Sequence, residues 1–510
     1  MRRLKSFVAI FGFAIGTMVH AHPLKVKAEQ GKLQGKFLNE GKVRAFLGIP
    51  YAAPPIGDLR WRAPQPAPHW KGLRNATQYG AHCEQFPFPD MIFPDAGMSE
   101  DCLYLNVFTP ASAKPSSHLP VMFWIHGGAY LAGSASEPRQ SGDFLPTKGV
   151  VLVTINYRLG VFGFLDTTGL IEEGGGAAGN YGLMDMIAAL RWVKANIASF
   201  GGDPQKVTLF GESSGSFAVS TLMASPMAQG LFLRAMGESG SALGEGLGGQ
   251  SAAKAAPAET AWTRALGAHS LAELRTMPAE AILTAAQKPG APRFVPVVDG
   301  KVLTEPVAES YAEGKQAHIP LLAGWNRDEG SFAATKDMTP EKWKAEAEKR
   351  FGTRAGAFLK LYPGANSAEA ERSSIDFAGD MFIAFGTWKW IEAQAKTGEA
   401  PVYRYHFELA APPSKFHDAS AFHSDEIEYV FGTLDTRPDA VWRPEDRKLS
   451  DEMMSYWTNF AKTGDPNGPG LPEWPRFDKT GEVLHLGRET YASPDATRAR
   501  YEFLQKTMQR

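Results

Sequence analysis

Residues 207–216 read VTLFGESSGS, and this segment is the most informative in the chain. Its first four residues form an apolar run that predicts a buried strand, and apolar residues at helical spacing over 217–223 predict a helix after it. Between the two lies the pattern Gly-x-Ser-x-Gly, at Gly211, Ser213 and Gly215. A strand that turns sharply into a helix strains the central residue and exposes its side chain, and a side chain in place of either glycine would collide with its surroundings. The segment therefore predicts an exposed serine nucleophile, Ser213, at a helix N-terminus that favours developing negative charge.

A similar segment, GESGS at residues 237–241, contains a serine in a different spacing. Its second glycine comes one residue too early for the Gly-x-Ser-x-Gly pattern. We therefore expect Ser239 to be a buried structural or supporting hydroxyl rather than a nucleophile.

Several other short apolar runs indicate buried strands, and helical patterns lie between some of them. The strand candidates are residues 121–125, 150–155, 207–210, 319–323 and 402–407, and the clearest helix candidates are 183–198 and 450–463. Strands that alternate with helices predict an α/β fold with a central, mostly parallel sheet flanked by helices. The Gly/Ala-rich stretch 240–258 is interpreted as an excursion within one domain, because the strand and helix pattern resumes after it.

Composition and charge narrow the possible partners. The chain has 510 residues, of which 44% are hydrophobic, so it can bury a large core. Lysine plus arginine number 53 and aspartate plus glutamate 55, and this balance argues against a nucleic-acid or anionic-lipid partner. The only two cysteines, Cys83 and Cys102, exclude a multi-cysteine zinc site and allow one disulfide at most.

The N-terminal segment, residues 1–21, has the features of a secretory signal peptide. A basic start precedes an apolar run over 7–19 that is too short to span a bilayer, and a small-x-small pattern ends at Ala21. We predict cleavage near Ala21, export to the periplasm or the medium, and one mature domain over 22–510 without stable membrane insertion. A membrane anchor is the alternative. Export would let the two cysteines form a disulfide, with two free thiols as the other possibility.

The segment HGGAY at residues 126–130 follows the apolar run 121–125. Acyl transfer needs backbone N–H groups that point at the carbonyl oxygen as it becomes charged, and small residues let a backbone come that close. In the α/β-hydrolase arrangement such a loop supplies donors together with the N–H after the nucleophile, which here is Ser214. His126 is expected to be structural, since it adjoins this loop and precedes the serine in the chain.

A serine nucleophile also needs a base and a carboxylate that orients the base. In this fold class the histidine follows the serine, and six histidines do so: His269, His318, His406, His417, His423 and His485. Spacing alone does not choose among them, although His423 lies in a polar loop that suits a mobile imidazole. Asp328 and Glu329, directly after the strand candidate 319–323, are both acceptable acids on chemistry alone.

Together these segments resemble the type-B carboxylesterase family, the esterase and cholinesterase group of α/β-hydrolases. The resemblance covers nearly all of the mature chain. Its matching segments are FLGIPYA at 46–52, PPIG at 54–57, SEDCLYLNV at 99–107, GNYGL at 179–183, FGGDP at 200–204, GES at 211–213 and GDPNG at 464–468. It implies an α/β-hydrolase fold and hydrolysis of carboxylic esters to an acid and an alcohol.

The resemblance also assigns roles to individual residues. It places the nucleophile on Ser213, the acid on Glu329 and the base on His423. The oxyanion donors fall on Gly128, Ala129 and Ser214. The resemblance further implies a Cys83–Cys102 disulfide and an ion pair between Arg60 and Glu100.

Two positions depart from the family pattern. The family usually has alanine after the nucleophile, whereas this chain has Ser214, which keeps the backbone N–H. Cholinesterases carry a choline-binding tryptophan ten residues before the cysteine of the Ser-Glu-Asp-Cys segment, and here that position is Ile92. Choline esters are therefore not expected as the dedicated substrate, and the Gly-Gly-Ala form of the oxyanion loop resembles enzymes that accept bulky alcohol groups.

We therefore predict an exported serine carboxylesterase that forms an acyl-enzyme on Ser213 and acts on a small-molecule ester. No cofactor is predicted. No metal site is predicted either, because the histidines are interpreted as scattered along the chain, without a His-x-Glu or His-x₃-His pattern. The rival hypothesis is a catalytically silent binding module on the same fold. The natural substrate stays open among xenobiotic esters, aromatic esters, a fungal polyester toxin and an ester antibiotic, and so does the oligomeric state.

Overall fold

The computed structural model describes residues 24–508, except 89, 90, 245, 246, 248, 334, 336, 414, 416 and 417. The predicted signal peptide over 1–21 and the candidate base His417 lie outside the described residues.

The described part of the chain contains 16 strands and 16 α-helices, with short 3-10 helices between several of them. The strands are β1 (Lys25–Ala28), β2 (Gly31–Gln34), β3 (Lys36–Leu38), β4 (Val43–Pro50), β5 (Leu73–Asn75), β6 (Tyr104–Pro110), β7 (Leu119–Ile125), β8 (Val151–Ile155), β9 (Gly202–Glu212), β10 (Arg234–Glu238), β11 (Gln250–Ser251), β12 (Val297–Val298), β13 (Leu321–Asn326), β14 (Val402–Phe407), β15 (Glu482–Leu486) and β16 (Thr490–Pro494).

The helices are α1 (Gly160–Phe164), α2 (Thr168–Glu173), α3 (Tyr181–Asn196), α4 (Ser214–Ala224), α5 (Ala252–Ala265), α6 (Leu271–Thr276), α7 (Ala279–Ala286), α8 (Val307–Ala312), α9 (Pro340–Phe351), α10 (Ala355–Leu361), α11 (Ser367–Gly379), α12 (Phe385–Thr397), α13 (Ile427–Phe431), α14 (Pro444–Thr463), α15 (Phe477–Thr480) and α16 (Arg498–Met508). A π-helical turn, Asp380–Ala384, joins α11 to α12. Within the described residues, no helix is both long enough and apolar enough to cross a bilayer.

A large sheet organises the molecule. Its strand order is β16-β15-β14-β13-β10-β9-β7-β8-β6-β4-β3. The central pairs from β15 to β8 are parallel, and the pairs at both edges are antiparallel. The predicted α/β fold with a mostly parallel central sheet is therefore confirmed.

Both faces of the sheet are covered, as the sequence of β7 illustrates. Val121, Phe123 and Ile125 pack into one hydrophobic core, while Met122 and Trp124 pack into a second core on the other face. Side chains alternate along a strand, so a strand buried on both sides reads as a continuous apolar run. Helices α3, α4 and α12 pack on the first face and α14 on the second.

The predicted elements lie where the apolar runs placed them, with shifted ends. The predicted helix 183–198 is α3, which begins at Tyr181 and ends at Asn196. The predicted helix 450–463 is α14, which begins earlier, at Pro444. At this end the Asp446 carboxylate accepts hydrogen bonds from the Arg443 backbone N–H and from the Arg443 guanidinium. Proline suits the first helical position because it has no N–H to satisfy. The apolar pattern misses this polar first turn.

The two cysteines lie in a tightly connected N-terminal region. Cys83 and Cys102 form a disulfide and are both buried. Close by, the Arg60 guanidinium donates to the Glu100 carboxylate at 2.6 and 2.5 Å. Both pairings predicted from the family resemblance are therefore confirmed. Arg60 also donates to the carbonyls of Arg275 and Met277, so it ties this region to the end of α6.

Removal of the disulfide should lower the free energy of unfolding. We expect the double variant Cys83→Ser/Cys102→Ser to lose about 3 kcal/mol of unfolding free energy, because the bond closes a loop of about 20 residues in the unfolded chain. Urea unfolding followed by fluorescence measures the difference. Reductant should destabilise the wild type and leave the double variant unchanged, since the chain has no other cysteine. Equal midpoints for the two proteins would contradict the expectation.

Candidate active site

Ser213 occupies the sharp turn between β9 and α4. Its backbone angles are φ 51° and ψ -124°, a strained conformation for a residue with a side chain. A Cβ atom on Gly215 would lie 2.0 Å from the Ile125 carbonyl oxygen, and one on Gly211 would lie 2.7 Å from the same atom. The expectation that both flanking positions require glycine is therefore confirmed.

Three predicted residues from distant parts of the chain meet at this turn. The His423 Nε2 atom lies 3.0 Å from the Ser213 Oγ atom, and the His423 Nδ1 atom lies 2.6 Å from Glu329 Oε2. Glu329 follows β13, and its other carboxylate oxygen accepts a hydrogen bond from the Asn326 N–H at 2.9 Å. His423 lies in the loop before α13. The arrangement can move a proton from the serine to an imidazole whose tautomer the carboxylate fixes.

The second acid candidate, Asp328, lies elsewhere. Its carboxylate pairs with the guanidinium groups of Arg327 at 2.8 Å and Arg372 at 2.6 Å. It also accepts a hydrogen bond from the Ala421 N–H. The structure therefore separates two candidates that chemistry alone left equal.

The loop after β7 runs beside the serine. A Cβ atom on Gly127 would lie 3.1 Å from Ser213 Cβ, which leaves no room for a side chain at that position. Gly128 and Ala129 have positive φ angles of 103° and 58°. Ser214 begins α4, and first-turn N–H groups have no partner within a helix. Gly128 and Ala129 thus follow directly after a residue that adjoins the nucleophile, and Ser214 follows the nucleophile itself.

The hydrogen bonds from Ser213 through His423 to Glu329 involve neither His126 nor Ser239. His126 is buried, its ring stacks on Tyr157 at 4.5 Å, and burial lowers its pKa to about 4. Ser239 is fully buried, as predicted, and its N–H donates to the Gly324 carbonyl. Of the other candidate histidines, His318 contacts the Gly314 carbonyl, and His406 and His485 both contact Glu408.

Glu212 is a site residue that the sequence interpretation missed. Its Oε1 atom lies 3.2 Å from His423 Nε2, so the imidazole has carboxylates on two sides. Burial alone would lower the pKa of His423, but Glu212 and Glu329 outweigh burial and raise this pKa to about 9. Burial raises the pKa of Glu212 to about 7 against the pull of His423 and Arg139. A charged residue at the end of an apolar strand was the available signal.

Two more buried carboxyl groups, Glu238 and Glu426, lie close enough to Glu212 to interact with it electrostatically. Glu238 accepts a hydrogen bond from the Trp457 indole at 2.7 Å, and burial raises its pKa to about 8. Glu426 accepts from the Asn326 amide, and burial together with the neighbouring carboxylates raises its pKa well above the usual range. Burial thus drives both groups toward their neutral form, so Glu212 and Glu329 are the carboxylates that favour a charged His423.

The Glu212 contact gives a prediction for the pH profile. Glu212→Gln should lower the pKa of His423, because a neighbouring negative charge that favours the imidazolium is removed. The free base then persists to lower pH, so the acid limb of kcat/KM should move down by about one pH unit. Measuring kcat/KM for a p-nitrophenyl ester as a function of pH, in the wild type and the variant, gives this shift. Glu238→Gln is the matched control, and the acid limb of its kcat/KM profile should stay where it is in the wild type. An upward shift of this limb in Glu212→Gln would refute the proposed effect of Glu212 on His423.

The sheet topology and the site geometry are those of an α/β-hydrolase. A strained serine lies between a central parallel strand and a helix, and the glutamate and histidine that accompany it follow later strands of the same sheet. Residues 22–504 match the model described as the carboxylesterase family. The chain belongs to the carboxylesterase family, and it is a carboxylic ester hydrolase. Members of this family act on small ester substrates through a serine mechanism.

Individual relatives agree with this assignment. The chain is 38% identical to para-nitrobenzyl esterase of Bacillus subtilis (strain 168), over 91% of this chain and 95% of that protein. It is 37% identical to fumonisin B1 esterase of Sphingopyxis macrogoltabida, over 88% of this chain and 84% of that protein. A solved PNB esterase structure superposes with a TM-score of 0.79 at 37% identity, covering 94% of this chain and 98% of that one.

Proposed function

We propose that this protein is an exported serine carboxylesterase in which Ser213 forms the acyl-enzyme. The observation that carries the proposal is the pair of hydrogen bonds from Ser213 through His423 to Glu329. The loop after β7 also supports the proposal, because Gly127 adjoins Ser213 and small residues follow it at Gly128 and Ala129.

In the acylation half-reaction, Ser213 Oγ attacks the ester carbonyl carbon and His423 Nε2 takes the hydroxyl proton. The carbonyl oxygen becomes an oxyanion, which the N–H groups of Gly128, Ala129 and Ser214 stabilise. One such donor is worth about 3–4 kcal/mol in the transition state. The intermediate then expels the alcohol, and His423 returns the proton to the departing oxygen.

In the deacylation half-reaction, a water molecule attacks the acyl carbon and His423 again takes the proton. Collapse of the second intermediate releases the carboxylic acid and restores the Ser213 hydroxyl. In both halves the imidazolium lies between the carboxylates of Glu329 and Glu212, which favour its charge. Glu329 holds the proton on Nδ1, so Nε2 stays free to accept.

Aromatic rings beside the base support an apolar alcohol group in the substrate. The Phe382 ring lies 5.1 Å from the His423 ring, and Phe332 lies 4.8 Å from Phe382. Phe332 is 56% exposed and Phe382 38%, although both are large apolar side chains. Because His423 protonates the leaving alcohol, the alcohol group lies on this side of the site. Esters of aromatic or bulky apolar alcohols therefore fit best.

Loss of an exposed ring should change substrate preference. We expect Phe332→Ala to lower kcat/KM for a benzyl ester about tenfold relative to the matching ethyl ester, since it removes an aromatic contact that only the larger alcohol makes. A panel with one acyl group and varied alcohols measures this ratio. Phe37→Ala, an exposed phenylalanine on β3, should leave the ratio unchanged. If Phe332→Ala leaves the ratio of kcat/KM for the benzyl ester to that for the ethyl ester unchanged, the alcohol group does not bind next to Phe332.

Export and domain extent are further parts of the proposal. Residues 1–21 act as the signal peptide, and residues 22–510 form one catalytic domain. The Cys83–Cys102 bond is compatible with an oxidising compartment. N-terminal sequencing of the protein recovered from periplasm and medium tests both statements. A mature chain that begins near residue 22 is expected, and an unprocessed chain kept in the cytoplasm would contradict export.

Covalent labelling tests the catalytic proposal directly. A fluorophosphonate probe should modify one serine, and peptide mass spectrometry should locate the adduct on Ser213. Hydrolysis of short p-nitrophenyl esters should stop in step with labelling. A protein that neither reacts with the probe nor hydrolyses these esters would support the rival hypothesis of a silent binding module.

A further inference from the structure

Outside the catalytic constellation, two histidines and a glutamate converge on the outer part of the sheet. His406 in β14 and His485 in β15 are directly opposite each other in the register of these parallel strands. Glu408 lies directly after β14, two residues beyond His406, and its carboxylate contacts both histidines. The residues next to the histidines, Phe407 and Leu486, are fully buried on the opposite face.

The three ligand atoms are close enough to share one ion. Glu408 Oε1 lies 2.9 Å from His406 Nδ1 and 2.6 Å from His485 Nδ1. One ligand atom from each of the three residues lies within 4.8 Å of the other two. Around a tetrahedral zinc ion, nitrogen and oxygen ligands stand about 3.4 Å apart, because the bond lengths are near 2.1 Å. Small side-chain rotations would therefore reach that geometry.

The surroundings orient these side chains. The second ring nitrogen of His485, Nε2, lies 2.8 Å from the Ser493 hydroxyl oxygen. The Tyr491 ring stacks on His485 at 4.7 Å, and Trp325 meets His406 edge to face. A hydrogen bond at the far nitrogen is the usual support of a metal-bound histidine.

We propose that His406, Glu408 and His485 form a binding site for a divalent transition-metal ion, with Zn²⁺ as the best fit. Two imidazoles and one carboxylate are a ligand set that zinc prefers, and water completes the coordination. The side chains are 19%, 26% and 15% exposed in that order, so an ion and water can enter. The ion would join β14 to β15 and is not part of the catalytic machinery. The expectation of no metal site assumed that no His-x-Glu pattern is present, but His406-Phe407-Glu408 is one. The third residue of the proposed site, His485, lies 77 residues after Glu408.

Metal titration of the untagged, chelator-treated protein tests the site. Isothermal titration with Zn²⁺ should give one equivalent per chain. His406→Ala and His485→Ala should each lose at least tenfold in affinity, and Ser493→Ala about tenfold. His69→Ala, which changes an exposed histidine, should bind as the wild type does. All four variants should hydrolyse p-nitrophenyl esters normally, which shows that they fold.

Co²⁺ gives a second readout that needs no variant. The wild type should bind one equivalent and show visible absorption bands of four-coordinate Co²⁺. Absence of saturable Zn²⁺ binding and of these bands would overturn the proposal. Zinc binding that survives in His406→Ala and inhibits ester hydrolysis would place the ion at His423, and would overturn it as well.

Discussion

Ser213→Ala is expected to lower kcat/KM for p-nitrophenyl esters by about 10⁵-fold or more. Loss of a triad nucleophile removes the covalent route altogether, and the remaining rate comes from substrate binding and oxyanion stabilisation alone. The hydroxyl oxygen that the substitution removes is also the serine atom that lies 3.0 Å from His423 Nε2. Fluorophosphonate labelling should disappear with activity, while circular dichroism and the urea midpoint stay close to the wild type.

Ser239 supplies the matched control for this experiment. Like Ser213, it follows a glutamate at the end of a central strand and has a positive φ angle. It is fully buried, and the Ser213 Oγ atom rather than its own lies beside His423. Ser239→Ala should therefore keep activity within about tenfold of the wild type. Loss of labelling in Ser239→Ala but not in Ser213→Ala would reverse the assignment of the nucleophile.

The turn at Ser213 could be predicted from sequence because its causes are local. The apolar run, the two glycines and the helical spacing all lie within 17 residues, from Val207 to Met223. The two glycines are required because a side chain at either position would collide with the carbonyl of Ile125, a residue of the neighbouring strand β7. The strand runs of the central sheet are predictable for a related reason, because burial on both faces leaves an uninterrupted apolar signature.

The partners of Ser213 could not be chosen by such reasoning. His423 lies 210 residues from Ser213 and 94 from Glu329, and their meeting depends on how strands are ordered in the sheet. Family resemblance selected Glu329 over Asp328, and the geometry then supplied the reason, which is that two arginines hold Asp328 elsewhere. The contact between Glu212 and His423 was missed because a pattern treats the position before the serine as arbitrary.

Glu329→Gln is expected to lower kcat for p-nitrophenyl esters by about 10⁴-fold with little change in KM. The Asn326 N–H donates to one side-chain oxygen of Glu329, so the glutamine carbonyl will keep that bond and turn its NH₂ group toward His423. The Nδ1 atom must then accept a hydrogen bond, which forces the ring proton onto Nε2. An imidazole in that tautomer cannot take the Ser213 proton, although every heavy atom stays in place. The glutamine also leaves the imidazolium with a single carboxylate, that of Glu212.

Asp328→Asn is the control that separates this tautomer argument from a general loss of structure. The change removes ion pairs to Arg327 and Arg372 next to Glu329, but no contact with His423. Its kcat should stay within about threefold of the wild type, while its unfolding free energy falls by about 1–3 kcal/mol. Glu329→Gln should show the opposite pattern, with a large loss of kcat and an urea midpoint near the wild type. Equal kcat losses in the two variants would mean that the loop as a whole, rather than the Glu329 carboxylate, determines the state of His423.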